Sequence, residues 1–325
     1  MPEEKEVLLK VDHLKTYFPI RKGFFNKVVG HVKAVDDVSF FVNRCETLGV
    51  VGESGCGKST MGRSVLRLVQ PTAGSVVFDG VDVCKLSNEE MRKFRSRMQI
   101  VFQDPLSSLD PRYTIDRTLA EPLKQHTNMS DAEIKDKVLE LMEKVGLPAF
   151  HAAKFPHEFS GGQRQRIGIA RAISLNPEFI VCDEPVSALD VSIQSQVLNL
   201  LRELQHELKL SYLFISHDLS VVKYISDRVA VMYLGHIVEM AKSDELFAHK
   251  LHPYTQALTS AIPIPNPHLT KQRIVLQGDV PNPANPPKGC PFHERCSQCK
   301  AICREERPEF KEVSPGHYVS CHLYN

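Results

Sequence analysis

The first part of the chain alternates between hydrophobic and polar residues, as half-buried strands do. Val7, Leu9 and Val11 occupy every second position, and the segment 34–42 leads into a turn at 43–46. Residues 47–51 then form a short apolar run that ends in a glycine-rich turn, and residues 58–69 carry apolar side chains at helical spacing. This pattern predicts short strands up to about residue 50, followed by a turn and a helix.

Helices and strands alternate in the middle of the chain. Ser130 and Glu133 form a capping box before a helix that reaches Val145, and a second helix is predicted from Gly161 to Leu175, just before an Asn-Pro pair. Further candidate strands and helices follow in chain order at 179–183, 192–206, 212–216, 219–226 and 229–233. This alternation predicts an α/β fold with a mainly parallel sheet covered by helices.

The chain changes character after about residue 260. Seven prolines lie between Pro263 and Pro287, which is too many for a helix or a central strand. We therefore predict a stiff, extended linker over residues 261–288 and a small cysteine-rich tail over residues 289–325.

Overall composition narrows the class of protein. The 325 residues are 42% hydrophobic and 24% charged, which is sufficient for a sizeable core, and 40 Lys and Arg against 39 Asp and Glu leave a net charge of +1. Such a balance does not favour nucleic acid as a partner. The N-terminus has no secretory signal pattern, and no apolar run is long enough to span a bilayer, so we expect a soluble cytoplasmic protein.

A phosphate-binding loop is the most specific motif. Residues 52–59 fit G-x-x-x-x-G-K-[ST] between a predicted buried strand and a predicted helix, where consecutive backbone N–H groups can face phosphate oxygens. Lys58 is predicted to reach the β- and γ-phosphates of ATP, and the Ser59 hydroxyl is predicted to bind Mg²⁺. The predicted nucleotide contacts here are Gly52, Ser54, Gly55, Gly57, Lys58, Ser59 and Thr60.

Two carboxylates follow the apolar strand at 179–183. Asp183 is predicted to hold Mg²⁺ through water, and Glu184 to polarise the attacking water as a general base. Without the phosphate loop, an acidic strand end at the surface would be an equally good interpretation. The loop makes the catalytic interpretation the stronger one.

A second glycine-containing motif opens the helix predicted at 161–175. In Ser160-Gly161-Gly162-Gln163, a hydroxyl and backbone N–H groups lie at a helix N-terminus, which is a second potential anion site. One chain does not need two such sites around one γ-phosphate, whereas two chains packed head to tail can complete each other's sites. The alternative is an ordinary glycine-rich helix start.

Together these motifs resemble those of the ABC transporter ATPases. Ser160–Gln163 is similar to the family's signature motif, and residues 187–190 resemble its D-loop. The resemblance implies that Tyr17 stacks on adenine, that Gln103 contacts Mg²⁺ and the attacking water, and that His217 holds the γ-phosphate and orients Glu184. Taken alone, each of these three residues has an ordinary structural interpretation: a packed tyrosine, a solvated loop glutamine or a structural histidine.

The resemblance implies an ABC-type P-loop ATPase domain over residues 5–260. Its expected parts are an N-terminal antiparallel β region, a helical subdomain at about 104–176 and a small cysteine-rich C-terminal extension.

Longer segments are similar to the oligopeptide/dipeptide importers, and within them to the F-type ATPase subunit. These segments are 103–111, 156–166, 183–192 and 251–258. The resemblance implies a D-type ATPase paralogue as heterodimer partner, or a homodimer. It also implies two membrane permeases that dock near residues 104–121, an extracellular peptide-binding protein and a peripheral location on the cytoplasmic face of the membrane. Alternatives are a nickel or other small-solute importer, a non-transport ABC ATPase, or a metal-sensing module that also binds ATP.

Five of the nine cysteines fall after residue 289, which favours metal binding over disulfides in a cytoplasmic chain. The resemblance assigns Cys290, Cys296, Cys303 and Cys321 as ligands of a [4Fe–4S] cluster, with Cys299 as an extra thiol. The alternatives are Zn²⁺, held by four ligands chosen from the five cysteines and His293, and reduced thiols or disulfides.

Two other cysteines depart from expectation. Cys45 stands where a turn glycine is expected, and because a non-glycine residue at positive φ costs about 1 kcal/mol, a different turn is predicted there. Cys56 lies inside the phosphate loop, where we expect it to be open to oxidation or alkylation.

Overall fold

A computed structural model describes residues 6–262 and 274–324. The strands of the described residues are β1 Val7–Lys22, β2 Lys27–Asn43, β3 Thr47–Val51, β4 Ala73–Phe78, β5 Val81–Asp82, β6 Met98–Val101, β7 Phe179–Asp183, β8 Ser211–Ile215, β9 Arg228–Tyr233, β10 His236–Lys242, β11 Phe310–Ser314 and β12 His317–Ser320.

The α-helices of the same residues are α1 Lys58–Val65, α2 Asn88–Phe94, α3 Pro105–Ser108, α4 Ile115–His126, α5 Asp131–Lys144, α6 Gly161–Ile173, α7 Val191–Leu208, α8 Leu219–Ile225, α9 Ser243–Ala248 and α10 Pro253–Ser260. Short 3-10 helices lie at Ala149–His151, Pro156–Glu158, His293–Arg295 and Ala301–Arg304. The described part of the chain has no helix with the length and apolar character of a membrane span.

The described residues fall into two compact units. We call one the helical unit; it contains residue 6 and residues 43–46 and 85–214. We call the other the P-loop unit; it contains residues 7–42, 47–84, 215–262 and 274–324. The predicted boundaries at 5–260, 261–288 and 289–325 remain a prediction.

The helical unit combines a small sheet with the amphipathic helices α4 to α7. Its strands lie in the order β8, β7, β6, and β6 runs parallel to β7 with Val101 opposite Cys182. All five residues of β7 are buried, as the predicted core strand requires. The predicted capping box of α5 is confirmed, because Ser130 Oγ accepts from the Glu133 N–H while the Glu133 side chain returns to Ser130.

The P-loop unit begins with an antiparallel sheet of order β2, β1, β4, β5. Its first two strands are 16 and 17 residues long, so the short strands predicted for this region are wrong in length. Buried side chains follow only part of each strand, and several residues near the connecting turn are exposed. Because hydrophobic alternation marks only the buried part of a strand, the sequence pattern underestimates these two.

The second sheet of the P-loop unit has the order β11, β12, β10, β9, β3. β3 runs parallel to β9, whereas β9, β10, β12 and β11 are successively antiparallel. The C-terminal hairpin of β11 and β12 therefore extends this sheet. One connection is fully buried: His317 on β12 lies with Nε2 2.8 Å from Oε1 of Glu239 on β10.

The turn between β2 and β3 keeps the backbone that glycine would favour. Cys45 has φ 56°, in the left-handed region, so the predicted change of turn type is wrong. Its N–H donates to Ser211 Oγ at 2.8 Å, and its thiol lies 3.5 Å from the Lys209 carbonyl oxygen. These contacts hold the cysteine in a conformation that costs about 1 kcal/mol.

The predicted proline-rich linker is described only in part. Residues 263–273, which include three of its seven prolines, lie outside the described residues. Residues 274–288 form neither a helix nor a strand, in agreement with the prediction for that stretch. At Pro283, the carbonyl oxygen accepts the Lys33 N–H of β2 at 3.1 Å, which fixes this stretch to the P-loop unit.

Candidate nucleotide-binding site

The phosphate loop joins the buried strand β3 to helix α1, as the sequence predicts. Gly57 is the N-cap of α1 and has φ 105°, and no side chain caps this helix. A Cβ atom at Gly57 would lie 2.0 Å from the Ala34 carbonyl oxygen, so this position requires glycine. Ser54 and Gly55 at the tip of the loop are exposed. An uncapped helix start with exposed loop backbone can receive a phosphate group.

Lys58 is folded onto the loop that contains it. Its ammonium group donates to the carbonyl oxygens of Gly52 at 2.7 Å and Glu53 at 3.0 Å, and the residue is only 4% exposed. The Glu53 N–H donates to the hydroxyl of Tyr254 on α10 at 2.9 Å. The conformation of the loop is therefore stabilised by Lys58, which belongs to the loop, and by Tyr254, which belongs to α10.

Cys56 does not have the reactivity predicted for it. The residue is 2% exposed, and burial raises the pKa of its thiol despite the nearby Lys58. A buried thiol that stays protonated is a poor nucleophile, so the expectation of easy oxidation or alkylation is wrong.

In the helical unit, Gln103 and Glu184 meet at one edge of the sheet. β6 and β7 are parallel neighbours, so the residues after their carboxyl ends lie side by side. Gln103 Nε2 donates to Glu184 Oε2 at 3.0 Å. Asp183, the last residue of β7, is 1% exposed. The structure thus brings together the predicted general base and the predicted water-orienting amide.

The backbone of Glu184 is unusual for a non-glycine residue, with φ 48°. Ser187 stabilises this conformation, because its N–H and hydroxyl both donate to the Glu184 carbonyl oxygen, at 3.3 and 3.1 Å. Backbone strain of this kind costs about 1–3 kcal/mol and is concentrated at functional sites. In this conformation the Glu184 carboxylate accepts the hydrogen bond from Gln103.

The signature-like motif forms the N-terminus of α6. Ser160 Oγ accepts the Gln163 N–H at 3.3 Å, and the Ser160 N–H donates to Gln163 Oε1 at 3.0 Å, which is a complete capping box. A Cβ atom on Gly162 would lie 2.4 Å from Cγ2 of Ile193 on α7, so this glycine allows close packing of two helices. Ser160 and Gly161 are exposed.

Tyr17 and His217 both belong to the P-loop unit. The Tyr17 hydroxyl donates to Asp36 Oδ1, and Lys33 Nζ lies 5.6 Å from the centre of the tyrosine ring. Burial, followed by the bond to Asp36, raises the pKa of Tyr17. His217 lies two residues after the end of β8, and the N–H of its neighbour Ser216 donates to the carbonyl oxygen of Val50 in β3 at 3.1 Å. His217 is thereby placed near the strand that leads into the phosphate loop.

The tail cysteines predicted as cluster ligands lie near one another. Cys290, Cys303 and Cys321 are each 8% exposed, and the Cys290 N–H donates to the Cys303 carbonyl oxygen at 2.9 Å. Burial, and then the neighbouring thiols of Cys303, Cys321 and Cys296, raise the pKa of Cys290 to about 12. The fifth cysteine, Cys299, is directed to the Lys300 carbonyl oxygen at 3.4 Å.

The described residues do not form the metal site that is predicted for the tail. Across residues 6–262 and 274–324, no group of three or more His, Cys, Asp and Glu side chains is arranged to hold a metal ion. His293, a zinc-ligand candidate, has Nδ1 2.9 Å from the Cys290 carbonyl oxygen.

Sequence reasoning missed one part of this region. Arg295 forms a two-pronged ion pair with Glu53 of the phosphate loop, with distances of 2.7 and 3.0 Å. The two residues are 242 positions apart, and the only signal in the sequence is that opposite charges lie inside two separate motifs.

Comparison with known proteins agrees with these features. The family model of the ABC transporter matches residues 35–187, and the model of the oligopeptide/dipeptide transporter C-terminal region matches residues 238–303. The oligopeptide transport ATP-binding protein AppF of Bacillus subtilis (strain 168) is 57% identical over 324 residues, which cover 99% of this chain and 98% of AppF.

Solved structures share the fold. The ATP-binding cassette MJ0796, as a dimer in a post-hydrolysis state bound to ADP and Pi, has a TM-score of 0.65 and 28% identity, covering 72% of this chain and 98% of that one. The cbiO1 protein of Clostridium perfringens, part of the ABC transporter complex cbiONQ, has a TM-score of 0.65 and 26% identity, covering 76% and 92%. Because its similarity to AppF spans nearly the whole of both proteins, this chain belongs to the ABC transporter family, among the ATP-binding proteins of oligopeptide/dipeptide transporters.

Proposed function

We propose that this chain binds and hydrolyses ATP to energise the import of oligopeptides or dipeptides through a membrane ABC transporter. The observation that carries the proposal is the 57% identity to an oligopeptide transport ATP-binding protein over 99% of the chain. The uncapped phosphate loop and the pairing of Gln103 with Glu184 support ATP chemistry independently of that likeness.

Phosphate binding is assigned to the loop before α1. Its N–H groups at Gly52, Ser54, Gly55 and Gly57, with those of Lys58, Ser59 and Thr60, would receive the phosphate oxygens, and the Lys58 ammonium would add a positive charge. Mg²⁺ would be held by Ser59, Gln103 and Asp183; when bound, it neutralises charge that develops on the phosphates. Tyr17 would stack on adenine.

Glu184 is assigned as the general base that takes a proton from the attacking water. The hydrogen bond from Gln103 Nε2 to Oε2 orients the Glu184 carboxylate for this role. His217 is proposed to contact the γ-phosphate and to orient Glu184. These roles require both residues to face the same phosphate.

Replacing the proposed base tests this assignment directly. Glu184→Gln should bind MgATP normally but hydrolyse it at least about 100-fold more slowly, because the amide has the shape of the carboxylate without its basicity. Steady-state hydrolysis and equilibrium binding of MgATP measure the two effects separately. Unchanged turnover would show that another group takes the proton.

We further propose that the motif Ser160-Gly161-Gly162-Gln163 contacts the γ-phosphate bound by a second ATPase chain. The second chain is proposed to be a paralogue of the D type, or a second copy of this chain. The exposure of Ser160 and Gly161 supports this, because the start of α6 is open to a partner at these two residues. A dimer of related chains is recorded for MJ0796.

Two membrane permeases are proposed as further partners, docking on the helical unit near residues 104–121. A groove of about 680 Å³ between α4 and α5 supports this location. Tyr113, Asp116, Arg117 and Glu121 line it from the predicted segment, and Ile134 and Val138 line it from α5. Together with an extracellular peptide-binding protein, such partners would place this chain peripherally at the cytoplasmic face of the membrane.

For the tail, we propose that Cys290, Cys296, Cys303 and Cys321 bind a [4Fe–4S] cluster. Three of the four are almost fully buried and all lie near one another, and Cys299 is directed to a backbone carbonyl. A cluster interposes iron and sulfide between its thiolates, so they need not converge on one point as zinc ligands must. The cluster would fasten the small tail, because cysteine–metal bonds stabilise segments with little apolar core.

Iron, sulfide and zinc analysis of protein purified without oxygen tests the cluster. We expect about four irons and four sulfides per chain, with a broad absorption near about 400 nm. One zinc per chain without iron would mean that the tail holds a structural zinc site instead of the cluster. A sample that contains neither iron nor zinc would show that the tail binds no metal. ATP binding is measured separately on the same sample, so a failure of the cluster proposal can be told apart from a failure of the ATP-binding proposal.

A further inference from the structure

The phosphate loop is joined to the C-terminal region by an ion pair. Arg295 Nη1 lies 2.7 Å from Glu53 Oε2, and Arg295 Nη2 lies 3.0 Å from Glu53 Oε1. The arginine side chain is 7% exposed and the glutamate side chain 28% exposed. Two parallel bonds from a shielded guanidinium fix both the position and the orientation of the carboxylate, unlike a surface ion pair.

Arg295 is itself held firmly. It ends the 3-10 helix His293–Arg295, and its N–H donates to the Phe292 carbonyl oxygen at 3.0 Å. The Phe292 ring packs against the rings of Tyr233 and Tyr254, with centroids 5.2 and 5.3 Å apart. The Arg295 guanidinium also lies 5.9 Å from the Tyr233 ring centre. This aromatic cluster therefore brings the arginine to the loop in a defined position.

Glu53 is a point where three restraints on the loop meet. Its side chain binds Arg295, its N–H donates to the Tyr254 hydroxyl, and its carbonyl oxygen accepts from the Lys58 ammonium group. Tyr254 contacts Phe292, which precedes Arg295 by three positions. The lysine that binds phosphate and the arginine of the C-terminal region are thus attached to the same residue.

A carboxylate in a phosphate-binding loop is unfavourable for binding an anion unless its charge is balanced. Glu53 is the second residue of the loop at 52–59, so its negative charge lies close to any bound polyphosphate. At short range and in partly shielded surroundings, like charges repel one another. The pairing with Arg295 supplies the balancing charge.

We propose that Arg295 is a positioning residue for the phosphate loop. By binding Glu53 it neutralises that carboxylate and keeps the loop in the conformation that binds MgATP. The C-terminal region therefore takes part in the nucleotide site, in addition to extending the sheet. The proposal rests on ATP binding by this loop, as proposed above.

Binding of a non-hydrolysable MgATP analogue to the isolated full-length chain, measured by calorimetry, tests the proposal. Arg295→Ala should raise the Kd about tenfold, because Glu53 is left unbalanced, while Glu53→Gln alone changes it less than about threefold. The double variant Arg295→Ala with Glu53→Gln should recover most of the affinity. Arg295→Lys, which keeps the charge but not the two-pronged geometry, should be intermediate.

Arg304→Ala is the matched control, because Arg304 is an exposed arginine of the same region. It should leave the Kd unchanged. Melting temperatures identify any variant that fails to fold. If Arg295→Ala fails to fold, the Kd of Arg295→Lys is compared instead with that of the double variant Arg295→Lys with Glu53→Gln. In the assembled transporter, Arg295→Ala should raise KM for ATP with kcat nearly unchanged.

Two results would overturn the proposal. One is normal affinity in Arg295→Ala; the other is a double variant that binds as weakly as the single one, since the carboxylate would then not be the route of the effect. Failure of the wild-type chain to bind the analogue would instead contradict the proposed function. The two failures are therefore distinguishable.

Discussion

Two helices of this chain begin at glycine-containing motifs, α1 after residues 52–57 and α6 after Ser160, and they differ in how their first turns are satisfied. Helix α1 has Gly57 as N-cap and no side-chain cap. Helix α6 is closed by its own capping box between Ser160 and Gln163. Helix α1 therefore begins without a side-chain cap, whereas the first turn of α6 is stabilised locally by its capping box.

Burial sharpens the difference. The phosphate loop contains Lys58, which is only 4% exposed, and hydrogen bonds from Lys58 and to Tyr254 restrain the loop. At the start of α6, Ser160 and Gly161 are exposed, and no side chain among positions 160–163 is cationic. In α1, a helix start without a side-chain cap is combined with a lysine, whereas α6 starts with a capping box and no cation. In the proposed function, α1 therefore receives the phosphates of this chain's own nucleotide, and α6 adds contacts to a phosphate held by another chain.

The largest expected effect is the loss of the built-in cation. Lys58→Ala should weaken MgATP binding to the isolated chain at least about 100-fold, because it removes both a phosphate contact and two bonds that shape the loop. Ser160→Ala, in contrast, should destabilise the fold by about 1 kcal/mol through the lost cap and leave MgATP binding unchanged. Calorimetric binding of both variants measures the contrast; similar losses of affinity would remove the distinction between the two motifs.

A smaller effect concerns Gly162 and Gly168, two of the three glycines of α6. Gly162→Ala should destabilise the protein by about 1–3 kcal/mol, because its Cβ would meet Ile193 Cγ2 at 2.4 Å and α6 would have to move from α7. Gly168→Ala in the same helix is the matched control, since no atom lies within 4 Å of its Cβ position. It should stabilise by about 0.5–1 kcal/mol. Chemical denaturation compares the two, and equal shifts would show that Gly162 is not a packing requirement.

The sequence predicts the parts of this fold that depend on local chemistry. Strand β7 is observed at 179–183 as predicted, and α6 begins at Gly161 as predicted and ends two residues early. A buried apolar run and a capping box are local signals, so their bounds can be read without the tertiary structure.

Features that depend on distant contacts could not be predicted. Cys45 keeps a positive φ because Ser211 and Lys209 contact it, and the Cys56 thiol is shielded because the surrounding fold buries it. The pairing of Glu53 with Arg295 requires two segments 242 residues apart to meet. None of these has a local signal, because burial and partner choice are properties of the folded chain.

The central claim is that the two helix starts serve different phosphates, one in the same chain and one in another. Gly161→Glu tests it most directly, because a carboxylate in the first turn of α6 is favourable for the helix but repels a phosphate. Gly161→Gln is the neutral control of the same shape. The Cβ position of Gly161 has ordinary contact with Leu189 at 3.4 Å, so a Cβ atom fits there, and Gly161 is exposed.

The measurement is ATP hydrolysis by the assembled transporter, together with MgATP binding by the isolated chain. The account predicts that Gly161→Glu loses at least about 30-fold in hydrolysis while its Kd for MgATP stays within about twofold of the wild type. Gly161→Gln should retain most of the activity. Equal hydrolysis in the two variants, or a parallel loss of MgATP binding in the isolated Gly161→Glu chain, would contradict the claim.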